Sequence, residues 1–304
     1  MLILFIRNGH AFLPEVEAYI NFFSRLGISC EQALCKKSSH TKHDVEWHIM
    51  GIDRANERYR ICKIHDYASA SVPPFRKGKD LLKKWFNTKP DYRLYLNEYV
   101  KQQLNFADGL PFGFRDMGVN SESSRPSVKK NYDFIYIGEI ASSRRGFGRW
   151  ITAFTEGALK DKTLLVVSKS YERIVVELSQ YRNIQFIGPV PHNQVSELIS
   201  SARFALNFIP DTEPFNCQTS TKMLEYAAAA VPVITTDYRW VRDFQKKHGG
   251  KFFYAAQDLS NFNWISITSF DYQFPDLRDF QWEKQIRNSG VLEFLQSRFT
   301  FLIT

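Results

Sequence analysis

Thr219-Ser220-Thr221-Lys222 places three hydroxyls and an ammonium group in succession, and Glu225 follows three residues after the lysine. The apolar run Phe204-Ala-Leu-Asn-Phe-Ile209 precedes this segment and Val231-Pro-Val-Ile-Thr235 follows it, so the whole reads as strand, polar turn, helix, strand. At a helix start the first N–H groups lack intrahelical acceptors and the dipole end is positive, which favours a phosphate. Glu225 shares a helix face with Lys222. A cation for phosphate and a carboxylate for sugar hydroxyls, one turn apart, suit a nucleotide sugar. The same residues also serve a helix that binds nothing: Ser and Thr are ordinary caps, and a surface Lys–Glu pair contributes about 0.3 kcal/mol.

Other chemistry-bearing residues lie in the first half. His65 and Asp66 close a strand read at Arg60–Ile64, where they are candidates for acceptor binding or for orienting a reacting hydroxyl; a local hydrogen-bonded turn is the plainer reading. Asp211-Thr212-Glu213 looks superficially like a metal-binding acidic pair and reads better as loop. The cysteines, Cys30, Cys35, Cys62 and Cys217, make no zinc-ligand spacing, so reduced thiols and no metal are expected.

The elements that must position these residues alternate. Leu2–Ile6 reads as a first strand rather than a signal peptide, because no basic region precedes its apolar residues. A turn at Asn8-Gly9-His10 leads to a helix over Pro14–Leu26. Further strands are read at Ile28–Leu34, Asp44–Ile49, Arg60–Ile64 and Asp91–Leu96, with a helix near Glu98–Gln103. Gly118–Lys130 is poor in large apolar residues and is the linker candidate. Beyond it, strands at Phe134–Ile137, Thr163–Val167, Ile184–Ile187, Phe204–Phe208 and Val231–Thr235 alternate with helical patterns, which implies parallel βαβ units. The polar loops Gly138–Arg145, Gly188–His192 and Asp211–Thr221 follow strand ends, where such sheets bind ligands. The tail after Gln281 reads as one helix with an apolar face. The domains expected are therefore 1–128, 129–280 and a C-terminal helix over 281–304.

With 304 residues, 44% of them hydrophobic, the chain can bury a substantial core, and no apolar run has the length of a membrane span. The net charge is +8, and part of the excess lies in Arg76–Lys89, RKGKDLLKKWFNTK. Leu81, Leu82, Trp85 and Phe86 recur there at helical spacing among lysines. Such a helix either lies on an anionic membrane face or packs its apolar stripe on its own domain and leaves the lysines wet. No nucleic-acid module is present, so nucleic acid is not an expected partner.

Two α/β domains with this second-domain pattern resemble a GT-B type glycosyltransferase, and more narrowly the retaining enzymes of glycosyltransferase family 4 and those that build bacterial capsule or lipopolysaccharide. The resemblance covers about Tyr132–Tyr238 and rests on YIGEIASSRRG, NIQFIGPVPHNQVSELISSA, the strand-turn-helix above and LEYAAAAVPVITTD. It implies two Rossmann-like domains facing a central crevice, and sugar transfer from a nucleotide diphosphate sugar to a saccharide or lipid-linked acceptor. No further cofactor is implied. Glu225 would bind the ribose, and Gln218, Thr219, Ser220 and Thr221 would supply N–H groups to the diphosphate. Arg144 with Arg145, after the strand ending at Gly138, would grip the same group, and Pro189 and Val190 would meet the base. Gly9 and His10 would contact acceptor or sugar; His192 would lie near the base or have no role.

Three positions depart from the family pattern. Cys217 stands where a second glutamate is usual, with Glu213 four residues earlier; Glu139 replaces an arginine; Ala230 replaces a glycine. In the mechanism implied, Arg144, Lys222 and the helix start stabilise the leaving diphosphate, with His65 and Asp66 on the acceptor side and no metal. The localisation implied is cytoplasmic, at the inner membrane face. A nucleotide-sugar epimerase of the same architecture, or a non-catalytic nucleotide- or glycan-binding partner protein, remain as alternatives.

Overall fold

The computed structural model describes residues 1–7, 9, 13–34, 42–49, 53, 61–71, 75–120, 128–140, 147–169 and 172–299. The chain divides into two compact units, one of residues 1–118 with 279–304 and one of residues 119–278.

The first unit runs β1 (Leu2–Arg7), α1 (Pro14–Arg25), β2 (Ser29–Leu34), β3 (Val45–Ile49), β4 (Cys62–Tyr67), α2 (Arg76–Phe86), β5 (Tyr92–Tyr95), α3 (Glu98–Leu104) and β6 (Phe112–Phe114). Its sheet is parallel throughout, in the order β2-β1-β3-β4-β5-β6. Pro14 opens α1, Glu15 and Glu17 sit in its first turn and Arg25 in its last, and Gly27 in the left-handed region follows its end. Val16, Tyr19, Phe22 and Phe23 fall on one face of α1 and pack on Phe5 and Trp47 of the sheet.

The second unit runs β7 (Tyr132–Ile137), α4 (Phe147–Thr155), β8 (Leu164–Val167), α5 (Glu172–Leu178), β9 (Ile184–Ile187), α6 (His192–Ser200), β10 (Ala202–Asn207), α7 (Thr221–Ala228), β11 (Val233–Thr236), α8 (Arg239–His248), β12 (Phe253–Ala255) and α9 (Trp264–Thr268). The order β12-β11-β10-β7-β8-β9 is again all parallel, and strand order reverses between β7 and β10. Both units are Rossmann-like, giving the α/β architecture of the GT-B type.

The tail is two helices, α10 (Trp282–Asn288) and α11 (Val291–Arg298), rather than one, because Gly290 turns the chain in the left-handed region between them. Trp282, Ile286, Val291, Leu292 and Leu295 complete the core of the first unit. Two glycines make room for this docking. A Cβ on Gly113 would strike the Ser289 carbonyl, and one on Gly118 would strike the Trp282 indole. Among the linker residues read between Gly118 and Lys130, 121–127 lie outside the described residues. β6 and β12, three residues each, carry too little sequence for a period to show.

Candidate functional site

The segment that opened the sequence reading folds as strand, turn, helix, strand. α7 begins after Ser220, whose Oγ accepts the Met223 N–H at 3.3 Å. The same hydroxyl donates to Asn207 Oδ1 at 2.8 Å. Asn207, the last residue of β10, donates through Nδ2 to Thr235 Oγ1 at 3.1 Å and to Tyr238 OH at 3.0 Å. All four residues are buried, so this network fastens the start of α7 to the carboxyl ends of β10 and β11. Ser220 is thus committed to capping. Gln218 is fixed in the preceding turn, its Nε2 donating to the Pro214 carbonyl at 2.8 Å. Thr219 and Thr221 flank Ser220 and are half-buried.

A second tie joins α7 to β7. The Ile137 N–H donates to Tyr226 OH at 3.0 Å, and Tyr226 is fully buried. The next residue, Gly138, has φ +153, and a Cβ there would fall 2.7 Å from Lys222 Cε and 3.2 Å from Nζ. The Lys222 ammonium therefore rests against the backbone at the end of β7. Glycine is favoured at 138 by its backbone angle, and a side chain there would displace the Lys222 ammonium. Sequence reading separated Gly138 and Lys222 by 84 positions; the fold brings them together at the switch point between β7 and β10, where parallel sheets bind ligands.

Glu225, one turn into α7, is half-buried. Desolvation pushes its carboxyl up to about 7, against the opposing pull of Lys222. Its carboxylate makes no hydrogen bond to any described residue. A carboxylate that is desolvated, near a cation and unsupplied with donors fits a ligand bearing hydroxyls. Pro189 and Val190 follow β9, the edge strand two places from β7, at the same carboxyl end of the sheet. His192 is the first residue of α6. Arg144 and Arg145 lie outside the described residues, as does His10.

Cys217, in the place of the expected glutamate, closes a short helical turn over Phe215–Cys217. Its Sγ lies 3.9 Å from Arg239 Nη1 and 3.2 Å from Asn216 Oδ1, and burial pushes the thiol up. Glu213 is exposed in the same loop. Asp211 organises that loop: it accepts from Asn216 Nδ2 at 2.8 Å, the Arg239 N–H at 3.0 Å and Arg242 Nη2 at 3.2 Å. Among the described residues no group of three or more His, Cys, Asp or Glu could hold a metal ion.

In the first unit the structure corrects the expected placement of His65 and Asp66 at a strand end facing the crevice. β4 runs on to Tyr67, and the two residues are only 3% and 1% exposed. Asp66 points toward α1. Both its oxygens take Arg115 Nη2, at 2.8 and 3.0 Å, and Oδ2 also takes Tyr19 OH at 2.8 Å. His65, on the opposite face, has Nε2 3.4 Å from Asp53 Oδ2 and Nδ1 3.3 Å from Tyr67 OH, and burial lowers its pKa. Asp53 also takes Lys63 Nζ at 3.3 Å and Thr88 Oγ1. Gly9 follows β1, beside the β1–β3 reversal of the first sheet, with open space around it. Asn207, Tyr226 and Arg115 were not singled out from sequence. A polar residue inside the apolar run Phe204–Ile209 was the available signal for Asn207, since buried polar groups are bonded.

Residues 131–263 match the family model described as glycosyl transferases group 1, which is less than half of the chain. No curated protein matches by sequence. Among solved structures, AviGT4, a glycosyltransferase involved in avilamycin A biosynthesis, is 13% identical with a TM-score of 0.59, over 98% of this chain and 96% of that one. HepE of Anabaena, solved with UDP-glucose, is 12% identical with a TM-score of 0.60, over 97% and 95%. The UDP-N-acetylglucosamine 2-epimerase of Rickettsia bellii is 12% identical with a TM-score of 0.55, over 98% and 96%. At these identities the similarity establishes the fold.

Proposed function

We propose that the protein transfers a glycosyl group from a nucleoside diphosphate sugar to a hydroxyl acceptor. The observation that carries this reading is the Lys222 ammonium held against Gly138 at the β7–β10 switch point, with the Glu225 carboxylate one turn away. Lys222 and the N–H end of α7 meet the diphosphate, and Glu225 accepts the ribose hydroxyls. Arg144 and Arg145, in the loop after β7, add charge there, and Pro189 and Val190 meet the base. In the reaction the bond from the anomeric carbon to the diphosphate breaks and a bond to the acceptor oxygen forms. The acceptor proton passes to the leaving diphosphate oxygen. Growing charge on that group is where Lys222 acts. This route needs no protein base and gives retention, as the family resemblance implies; Gly9 and His10 are assigned to the acceptor side. The same resemblance supports a saccharide or lipid-linked acceptor in bacterial surface glycan synthesis, on the cytoplasmic side.

The test is a thermal-shift panel of nucleoside diphosphates and their sugars on wild type and Glu225→Ala. A ligand of the native state raises the melting temperature. One nucleoside diphosphate stabilising wild type and not the variant is expected, followed by product formation when acceptor is added. A flat panel on folded protein overturns the reading and favours a non-catalytic partner, with Cys217 and Glu139 as first suspects. The fold is shared with an epimerase, so altered sugar formed without acceptor favours that alternative.

A further inference from the structure

α2 carries its apolar side outward. Phe75, just before it, is 84% exposed, Trp85 72% and Phe86 52%, and Leu81 and Leu82 are exposed as well. The inward side is polar. Asp80 is buried, Lys83 donates to Ser71 Oγ at 3.3 Å, and the helix end is fastened through Asn87, which accepts the Asp53 N–H at 2.9 Å. A helix that only covers its own domain buries the opposite face. The reading in which the apolar stripe packs on its own domain is therefore not what the structure shows. Phe75 also sits at φ +61, an uncommon conformation for a bulky residue.

We propose that Phe75 and the outward face of α2 dock on an anionic lipid bilayer. The choice of a bilayer over a protein partner rests on charge. Lys79 and Lys84 are exposed among the apolar side chains, and Arg76, Lys77 and Lys89 belong to the same segment. The segment's one acid, Asp80, is turned inward, so the outward face carries cations and no carboxylate. Protein interfaces are depleted of lysine at their centres, whereas a bilayer surface meets lysine with phosphate headgroups and seats tryptophan at headgroup level. Eleven residues rise about 16 Å, too short to span a bilayer, so the helix lies in the plane of the surface. No described helix is long and apolar enough to cross a membrane. This docking places a lipid-linked acceptor within reach of the protein, but it stands independently of the sugar-transfer reading.

The test is co-sedimentation of the full chain with vesicles of phosphatidylglycerol and phosphatidylcholine in equal parts, and with phosphatidylcholine alone. Wild type is expected to pellet with the anionic vesicles and to release as salt rises. Lys79→Glu with Lys84→Glu should weaken partitioning about tenfold or more, and Trp85→Ala with Phe86→Ala comparably. These side chains face outward, so melting temperatures should match wild type. Wild type left in the supernatant, or variants that pellet like wild type, overturns the inference. So does a wild-type dimer that Trp85→Ala makes monomeric, because a second copy would then cover the face. An intact nucleotide response in a chain that ignores vesicles sinks this inference and leaves the donor site standing.

Discussion

Each unit sets a carboxylate beside a cation, fully buried in the first and half-buried in the second, and the two are treated in opposite ways. In the first, Asp66 receives Arg115 on both oxygens and Tyr19 on one, with Asp66 and Arg115 fully enclosed. In the second, the Glu225 carboxylate lies next to Lys222 yet takes no hydrogen bond from a described residue, and desolvation pushes it up to about 7. Burying an ion costs several kcal/mol, which good geometry must offset. Asp66 has that geometry within the chain, so its work is to hold α1, β4 and Arg115 in one arrangement. The Glu225 carboxylate has no such partner among the described residues, so it keeps the acceptor capacity that the proposed donor site would use. Saturation of hydrogen bonds marks Asp66 as structural, and its lack among the described residues is what makes Glu225 the candidate for binding.

The sharpest way to break this comparison is to remove each carboxylate. Asp66→Ala leaves Arg115 charged and enclosed, and should cost about 3–5 kcal/mol, read as a lower urea midpoint. A variant that unfolds like wild type would refute the structural role. Glu225→Gln should leave the fold at least as stable at neutral pH and weaken nucleoside diphosphate sugar binding about 10- to 100-fold by calorimetry, the loss of bonds to a charged acceptor. Equal affinity would make Glu225 a bystander.

Titration sharpens the contrast. An unfolded Glu225 loses its proton near the ordinary carboxyl value of 4.5, while the native state holds it to about 7. The unfolded state then binds fewer protons across that window, so this group's contribution is complete below it and declines as pH rises toward 7. Glu225→Gln should flatten that part of the stability profile. Donor affinity should move the other way, rising with pH through about 7 in wild type as the acceptor form fills, and staying level in Glu225→Gln. The diphosphate of a nucleotide sugar is esterified at both ends and does not titrate there.

The smallest effect concerns the far end of α7. Ala230 lies at φ +52 in a Schellman turn, with the Ala230 N–H on the Ala227 carbonyl at 3.1 Å and the Val231 N–H on the Tyr226 carbonyl at 3.0 Å. An L side chain there costs about 1 kcal/mol, so Ala230→Gly should raise stability by about that much in urea unfolding and leave donor binding unchanged. No gain would mean that the glycine missing from the family pattern has been compensated elsewhere.

Much of the frame was legible because local periods carry it. The buried strands β1, β3, β7, β8 and β10 and the helix α1 were found close to their observed bounds. β4 was placed early because its polar residues His65 and Asp66 looked like a strand end, whereas the ladder continues through them to Tyr67. α8 was not singled out, and the tail was taken as one helix although Gly290 divides it. In the site, the Lys222–Glu225 spacing was visible at once. The Asn207–Ser220–Tyr238 network and the Tyr226 tie to Ile137 were not, since residues far apart in sequence meet there only when parallel strands align.

What the chain's sequence determined by itself is local. It set the alternation of strand and helix, the hydroxyls and lysine at the start of α7, the acid one turn on, and the basic apolar run of α2. Spacing along a helix or strand follows from backbone geometry and can be counted. Tertiary structure alone decided which groups find partners. It closed Asp66 onto Arg115, left the Glu225 carboxylate without a bonded donor among the described residues, laid Lys222 on Gly138 and turned Asp80 inward while Trp85 faces out. Those outcomes depend on which surfaces are withdrawn from water, and that is settled only when distant segments pack.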